Sequence, residues 1–512
     1  MSDSERGNGL PNLTKIINYR PILFVAVSFA VGVFFFGKFC LNGYTATLAA
    51  AAILVGVSLL FLPFSLGKSI IKYAVTTLIC VLFCLFGYFY SSLRLGSFDK
   101  GKVKTGDYIV KGTVSTVSTY NGVKYALLTD CVYDGRKGGN LYVIGYGENL
   151  SKFDEVKGKF AVEPAYSLSE SGVSRSVIYD RANKTAKIYS LNVTGREKSL
   201  PSSFAKSTDE ILSEGISGDS FGIAVGLLRG DTSYMNGEID GYRLSGIAHV
   251  FAVSGMHVGL VFAAASFVVG LFKVKRSVRS FIIAPLLFLY AYLCGNSPSA
   301  IRAAVMCSVA AAVHGFGEKS DRINGISVAL FIVLVINPFD LFTAGLILSF
   351  SVSFAIIILA PPLKRLFAGF MPDKFSDSFA VIIAAETVAM PLSVGYFGSF
   401  PLVAIITNLI LLPFISVAFF LLWSAVLLCL IFPFNRLIAL YIPNFIIKAS
   451  SVSCEILAGF PLSLAKFGMI FGVVYYFALF ICSDMVNARP IFKKISALIA
   501  AISALLAAFV PV

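Results

Sequence analysis

"IAHVFAVSGMHVGLVFAAASFVVGLF", residues 247–272, decides how the chain is read: it is long enough to cross a bilayer, yet carries His249, Ser254, Gly255 and His257. As one continuous helix it would reach about 39 Å at ~1.5 Å per residue, against a hydrocarbon core of about 30 Å. Two readings follow. Tilt would absorb the excess. Alternatively, Ser254 and Gly255 break the helix, and a half-helix begins inside the membrane with its free amide groups and positive dipole end toward a polar cavity. Such an end suits an anion. His249 and His257 would stand about 12 Å apart along one helix, too far to chelate one metal by themselves. They fit a wet, donor-lined passage, or, more plainly, two histidines satisfied by neighbouring helices.

Outward from this stretch, composition agrees with a membrane setting. Of 512 residues, 57% are hydrophobic and 14% charged, and apolar runs near the ~20 residues of a membrane span recur. We expect a polytopic α-helical membrane protein. Three spans come first, near Pro21–Phe39, Ala46–Leu66 and Tyr73–Leu93, and about ten follow residue 247, giving about 13 crossings. The first apolar run follows a polar stretch and is succeeded by more, so no cleaved signal peptide is expected. The net charge of +14 selects neither nucleic acid nor anionic lipid, because cytoplasmic loops of membrane proteins are enriched in Lys and Arg anyway. Nine cysteines form no disulfide framework and read as core residues.

Between residues 98 and 200 the pattern changes. Lys and Arg outnumber Asp and Glu, and "DYIVKGTVSTV", "VKYALLTDCVY", "GNLYVIGYG", "VKGKFAVEP" and "AKIYSLNVTG" alternate apolar with polar residues. Five such strands suffice for an inserted, OB-like β-barrel. Tyr120, Tyr125, Tyr133, Tyr142 and Tyr146 could offer stacking faces for single-stranded nucleic acid beside Lys and Arg; equally, tyrosine is an ordinary strand residue. The expected domains are therefore 1–97 (transmembrane), 98–200 (β-domain), 201–246 (amphipathic connector) and 247–512 (transmembrane channel domain).

Charge sets the orientation. Lys273, Lys275, Arg276 and Arg279, then Lys319 and Arg322, then Lys364, Arg365 and Lys374, and finally Arg489, Lys493 and Lys494 fall on one side if every span crosses. That side reads as cytoplasmic, which puts the β-domain outside.

Further candidates lie in "CGNSPSAIRAAVM", residues 294–306. Ser297 and Pro298 form a strong helix start, with Ser299 beside them. Arg302 then lies near the helix's positive end, where it needs an anion in compensation, unless it snorkels to headgroups. Phosphate is one such anion. Arg229 and Asp231 in "LLRGDTS" read as a surface ion pair or a site. Glu386, mid-span, should be partnered or protonated.

At these residues the chain resembles a known family. "GLLRGDTSYMNGEIDGYRLSGIAHVFAVSGMHVGL" is similar to one signature of the ComEC family, the inner-membrane channels of bacterial competence, and "GNSPSAIRAAVM" to its second, in the same order and spacing. "NPFDLFTAGLILSFSVSFAII" and "MPLSVGYFGSFPLVAIITNLILLPF" extend the likeness across about residues 215–430. The resemblance implies a multi-pass channel of the bacterial cytoplasmic membrane, with the OB-like domain extracytoplasmic. It implies conduction of one DNA strand inward, and His249, Ser254, Gly255, His257, Ser297, Pro298, Ser299 and Arg302 match the motifs. Many members also carry a β-lactamase-like domain with an HxHxDH cluster. This chain has three histidines and no such run, so we expect no nuclease of that type, no metal and no other cofactor, and a separate nuclease where degradation is needed.

Physics constrains any such passage. A bare phosphate charge in hydrocarbon costs many kcal/mol, so the path must be wet. Inward movement against an inside-negative potential costs about 2.3 kcal/mol per charge per 100 mV. No GxxxxGK[ST] loop is present, so energy must come from a cytoplasmic ATPase or helicase of the DNA-uptake machinery, or from protons through the histidines and Glu386. Beyond DNA and membrane lipids as partners, two other functions remain open. One is transport of another anionic solute. The other, an enzyme where the first two are not, is an intramembrane serine hydrolase built on Ser254 with His249 or His257.

Overall fold

Apolar helices bracket one polar insert. The computed structural model describes residues 21–37, 70–99, 104–120, 123–145, 150–164, 182–235, 238–315, 321–432, 435–460, 463–464, 467–486 and 489–509. The expected span at 46–66 lies outside them.

Helices α1 (Pro21–Phe35) and α2 (Ile70–Asp99) pack as a pair. A Cβ added to Gly32 would lie 1.9 Å from the Cys84 carbonyl oxygen, and one on Gly87 2.3 Å from that of Phe29. The backbones thus touch where only glycine fits, the close approach that stands in for hydrophobic drive between helices in lipid.

The insert holds six strands: β1 (Gly106–Tyr120), β2 (Val123–Tyr133), β3 (Arg136–Lys137), β4 (Asn140–Ile144), β5 (Asp154–Pro164) and β6 (Ala182–Arg196). The period-2 alternation read from sequence is what closes its core. Val110, Val114, Val156, Phe160 and Val162 point inward, while Lys111, Lys157 and Lys159 between them stay exposed. The ladder runs β1-β5-β6-β4-β2, and β2 pairs back with β1. Of these pairs β4 and β6 are parallel, the rest antiparallel.

The connector comprises α3 (Leu200–Gly215), α4 (Asp219–Arg229) and α5 (Glu238–Leu244). Ser199 caps α3, its side chain accepting from the Ser202 N–H. The remainder is helical: α6 (Gly255–Leu271), α7 (Arg276–Leu293), α8 (Pro298–Gly315), α9 (Arg322–Ile336), α10 (Ala344–Phe367), α11 (Asp373–Phe397), α12 (Ala404–Ile431), α13 (Arg436–Ala458), α14 (Met469–Cys482) and α15 (Pro490–Phe509). Short strands β7 (Phe400–Pro401) and β8 (Ser463–Leu464) pair with each other. Among the described residues six helices are long and apolar enough to cross a membrane: α2, α7, α10, α11, α12 and α13. Five more are apolar but shorter. The chain is a polytopic membrane protein with a β-sheet insert.

Connector and membrane helices share one core. Ile211 and Leu212 of α3 and Leu227 and Leu228 of α4 cluster with Leu411, Leu422 and Leu440. Phe204 of α3 stacks on Trp423, ring centroids 5.6 Å apart. Among the described residues the cysteines form no disulfide, and Cys80, Cys84, Cys131, Cys294 and Cys454 are buried. On the basic side, Lys364 pairs with Asp377 at 2.7 Å and Arg365 with Asp484 at 2.5 Å.

Candidate functional site

The opening stretch is broken rather than tilted. Ala248–Phe251 form a single 3₁₀ turn, Ala252 and Ser254 are extended, and α6 starts at Gly255. A continuous helix over 247–272 is therefore ruled out, and the reason is local. The Ser254 N–H donates to His257 Nδ1 at 3.1 Å, and Ser254 Oγ lies 3.0 Å from the same nitrogen. His257, buried against the Phe419 ring at 4.5 Å, thus stops the helix from continuing backward by taking an N–H that a longer helix would use. An Nδ1 that accepts leaves the ring proton on Nε2, which has no hydrogen-bond partner among the described residues. This geometry argues against a serine hydrolase. A base for Ser254 would have to take its proton on the one nitrogen already occupied by a backbone N–H. His249 sits in the 3₁₀ turn and is exposed.

The other side of the break is open. A Cβ on Gly255 or Gly259 would meet no atom within 4 Å, so one face of the first turn of α6 borders free space. The helix starts inside apolar sequence, the half-helix arrangement that favours an anion.

The second motif lies alongside. Gly295 (φ +78°) and Asn296 (φ +53°) turn the chain after α7. Ser297 Oγ then accepts from the Ala300 N–H at 3.4 Å, with Pro298 as the first residue of α8. Ser297 and Ser299 hydroxyls are 3.3 Å apart. Val253 and Val258 from the first motif share one apolar cluster with Cys294, Ala300 and Ala303 from the second.

Arg302 does not reach the headgroups. It is 5% exposed, against the N-terminal turn of α10, where a Cβ on Gly345 would lie 2.7 Å from its Nη2. Its compensating charge comes from the chain itself: Asp340, in the 3₁₀ turn Pro338–Phe342, is its electrostatic partner. The snorkelling reading is overturned, and phosphate is not needed to explain the arginine.

Arg229 and Asp231 are not a surface pair either. Arg229 is 1% exposed and lies 2.7 Å from Asp209 Oδ1 and 3.5 Å from Asp231 Oδ2. Its Nη1 also donates to Thr208 Oγ1 at 2.7 Å and to the Ala205 carbonyl at 3.0 Å. The group ties α3 to the end of α4 as a buried ionic cluster.

A family model described as "Competence protein" matches residues 227–486, which hold both motifs, Arg302 and Glu386. The chain belongs to this family. ComE operon protein 3 of Bacillus subtilis (strain 168) is 29% identical over 197 residues, 38% of this chain and 25% of that protein. The match spans about a quarter of that relative's length. No solved structure matches the chain.

Within the competence-family region, Glu386 on α11 is partnered. Asn408 Nδ2 on α12 donates to its Oε1. Five residues on, Pro391 lacks the N–H that would reach the Thr387 carbonyl. Tyr475 on α14 fills that role, its hydroxyl donating to Thr387 O at 2.9 Å, while Tyr476 donates to Val388 O at 2.9 Å. A proline interruption beside an intramembrane carboxylate is thus stitched by two phenols.

In the β-domain, Tyr133 is buried and donates to the Gly139 carbonyl at 2.9 Å, so it offers no stacking face. Tyr125 and Tyr142 are half-buried neighbours with centroids 5.9 Å apart. The Tyr120 side chain and Tyr146 lie outside the described residues. Sequence reasoning missed Lys152, Asp209, Asp340 and Asn408. Asn408 had a signal, being one of few polar residues in a long apolar run; Lys152 had none among so many polar-domain lysines.

Proposed function

We propose that this competence-family chain acts in DNA uptake, conducting a single strand through a wet path beside the first turns of α6 and α8 into the cytoplasm. The observation that carries this reading is the break at Ser254–Gly255, whose open face borders the start of α6 in apolar surroundings. A polyanion needs N–H donors and space, and a broken helix offers both without placing a bare cation in lipid. About 13 crossings, with the basic loops cytoplasmic, put the β-domain outside. Its five-strand ring with one parallel pair is consistent with an OB-like barrel, and Tyr125 with Tyr142 form its candidate stacking platform. The chain works as a channel rather than an enzyme, with a separate ATPase or helicase supplying energy and a separate nuclease removing the other strand.

The test is uptake of radiolabelled DNA by cells lacking the gene, complemented with the parent chain or with Ser254→Ala. Entry should vanish on deletion and return with the parent. Undiminished entry in the deletion strain removes the reading. A second reading, transport of a smaller anionic solute, is favoured by one observation: Arg302, a basic residue within the apolar spans, already faces Asp340. Purified chain in liposomes that moves a small anion but no oligonucleotide would support it.

A further inference from the structure

The residue that joins the external domain to the second motif is Lys152, in the turn before β5. Its side chain is buried, and Nζ donates to the Cys294 carbonyl at 2.6 Å. That carbonyl belongs to the C-terminal cap of α7, where free acceptors and the negative dipole end favour a cation. Asp231 in the connector attracts the same ammonium, while Arg229 opposes it. The ammonium also lies 5.7 Å from the Phe153 ring centroid.

The hook that carries Lys152 is shaped by the β-domain itself. Phe153 adopts φ +72°, held there because its N–H donates to Val114 O at 2.8 Å and its carbonyl accepts from Glu197 N at 2.9 Å. Asp154 Oδ2 accepts from Ser151 N at 2.7 Å. The receiving turn is cut to match. A Cβ on Gly295 would lie 2.4 Å from Lys152 Cε, 2.6 Å from Nζ and 3.3 Å from Phe153 Cζ. Gly295 opens the "GNSPS" motif, and Ser297, Pro298 and Ser299 follow directly from it.

We propose that Lys152 is a positioning residue: it seats the external β-domain on the Cys294–Gly295 turn and thereby fixes where Ser297 and Ser299 stand at the start of α8. The glycine of the second motif is then explained as a docking socket for the insert. In the conduction reading, on which only this functional consequence rests, the hook registers DNA held by the external domain over the α6 and α8 helix starts.

Two measurements on the full chain test this. The first is maleimide labelling of purified Ser299→Cys protein, with the native-cysteine signal of the parent subtracted. Adding Lys152→Met, of similar length but uncharged, should change the labelling rate at least threefold, and Gly295→Ala should do the same with Lys152 intact. Unchanged rates in both overturn the proposal. Should Lys152→Met fail to accumulate, Lys152→Gln decides by the same criterion, because Ala at Gly295 (φ +78°) also strains the turn itself. The second measurement separates DNA bound at the cell surface from DNase-resistant, internalised DNA. Lys152→Met should keep surface binding and lose internalisation at least tenfold. Equal loss of both at parent protein levels would make Lys152 part of a binding face and overturn the positioning role. The labelling arm involves no DNA, so it separates failure of the positioning role from failure of the conduction reading.

Discussion

Replacing Arg229 by Met tests whether the connector is held by charge. Arg229 is 1% exposed, with carboxylates of Asp209 and Asp231 at 17% and 5%. Removing the guanidinium takes from both acids their closest cation and from Thr208 Oγ1 its donor, while Asp231 keeps Ser233, Asp209 keeps Tyr234 and the Ala205 carbonyl keeps the Thr208 hydroxyl. Breaking a buried pair this way costs about 3–5 kcal/mol. At roughly 2–4 °C per kcal/mol for a unit of ~150–250 residues, the melting temperature falls by about 6–20 °C. Trp423 is the sole tryptophan and stacks on Phe204 of α3, so its fluorescence in detergent reports release of the connector directly. The triple variant Arg229→Met, Asp209→Asn, Asp231→Asn should recover most of the loss, because replacing a whole buried ionic group by neutral residues is often close to neutral. A single Arg229→Met variant melting within about 2 °C of the parent would refute the reasoning.

Other expectations follow from the same geometry. Tyr475→Phe leaves the Thr387 carbonyl without a donor and should cost about 1–3 kcal/mol. Pro391→Ala restores the helical N–H, so a double-mutant cycle by thermal melting should show the two changes coupled by at least ~0.5 kcal/mol; strict additivity would speak against the stitch. Gly255→Leu should accumulate and melt like the parent, since a side chain there meets open space, yet stop DNA entry; normal entry would place the path elsewhere. Burial holds Lys152 below the ordinary lysine range, outweighing the pull of Asp231. Between that lowered value and ~10.4 the unfolded chain binds more protons than the folded one, so stability rises with pH there. Melting at stepped alkaline pH should show this slope in the parent and a flatter one in Lys152→Met.

Much of this architecture is legible in the sequence alone. Period-2 alternation such as Val110-Lys111 and Phe160-Lys159 located the strands, because a one-sided core leaves no other register. Apolar runs located the helices after residue 246, since lipid demands continuous internal hydrogen bonding. The length of 247–272 left tilt and break equally open; the deciding fact, His257 Nδ1 accepting the Ser254 N–H, depends on a rotamer that no spacing encodes. Arg229 and Asp231 read as a surface pair or a site because their burial comes from Asp209 and Thr208 on the preceding helix, α3, which no local spacing brings to them. Arg302 reads from sequence as needing an anion or a route to the headgroups, since Asp340 is brought to it only by the packing of α8 against α10. Lys152 was invisible for the same reason: its meaning lies in Gly295, more than a hundred residues further on.

The central claim is that DNA passes the open face of the α6 start. Photo-crosslinking of DNA arrested during entry tests it most directly, with benzoylphenylalanine placed at position 255, at 259 or at the outward-facing control Phe267, which is 70% exposed. The account predicts DNA adducts at 255 and 259 and none at 267. Adducts absent from 255 and 259, or equally strong at 267, would contradict it.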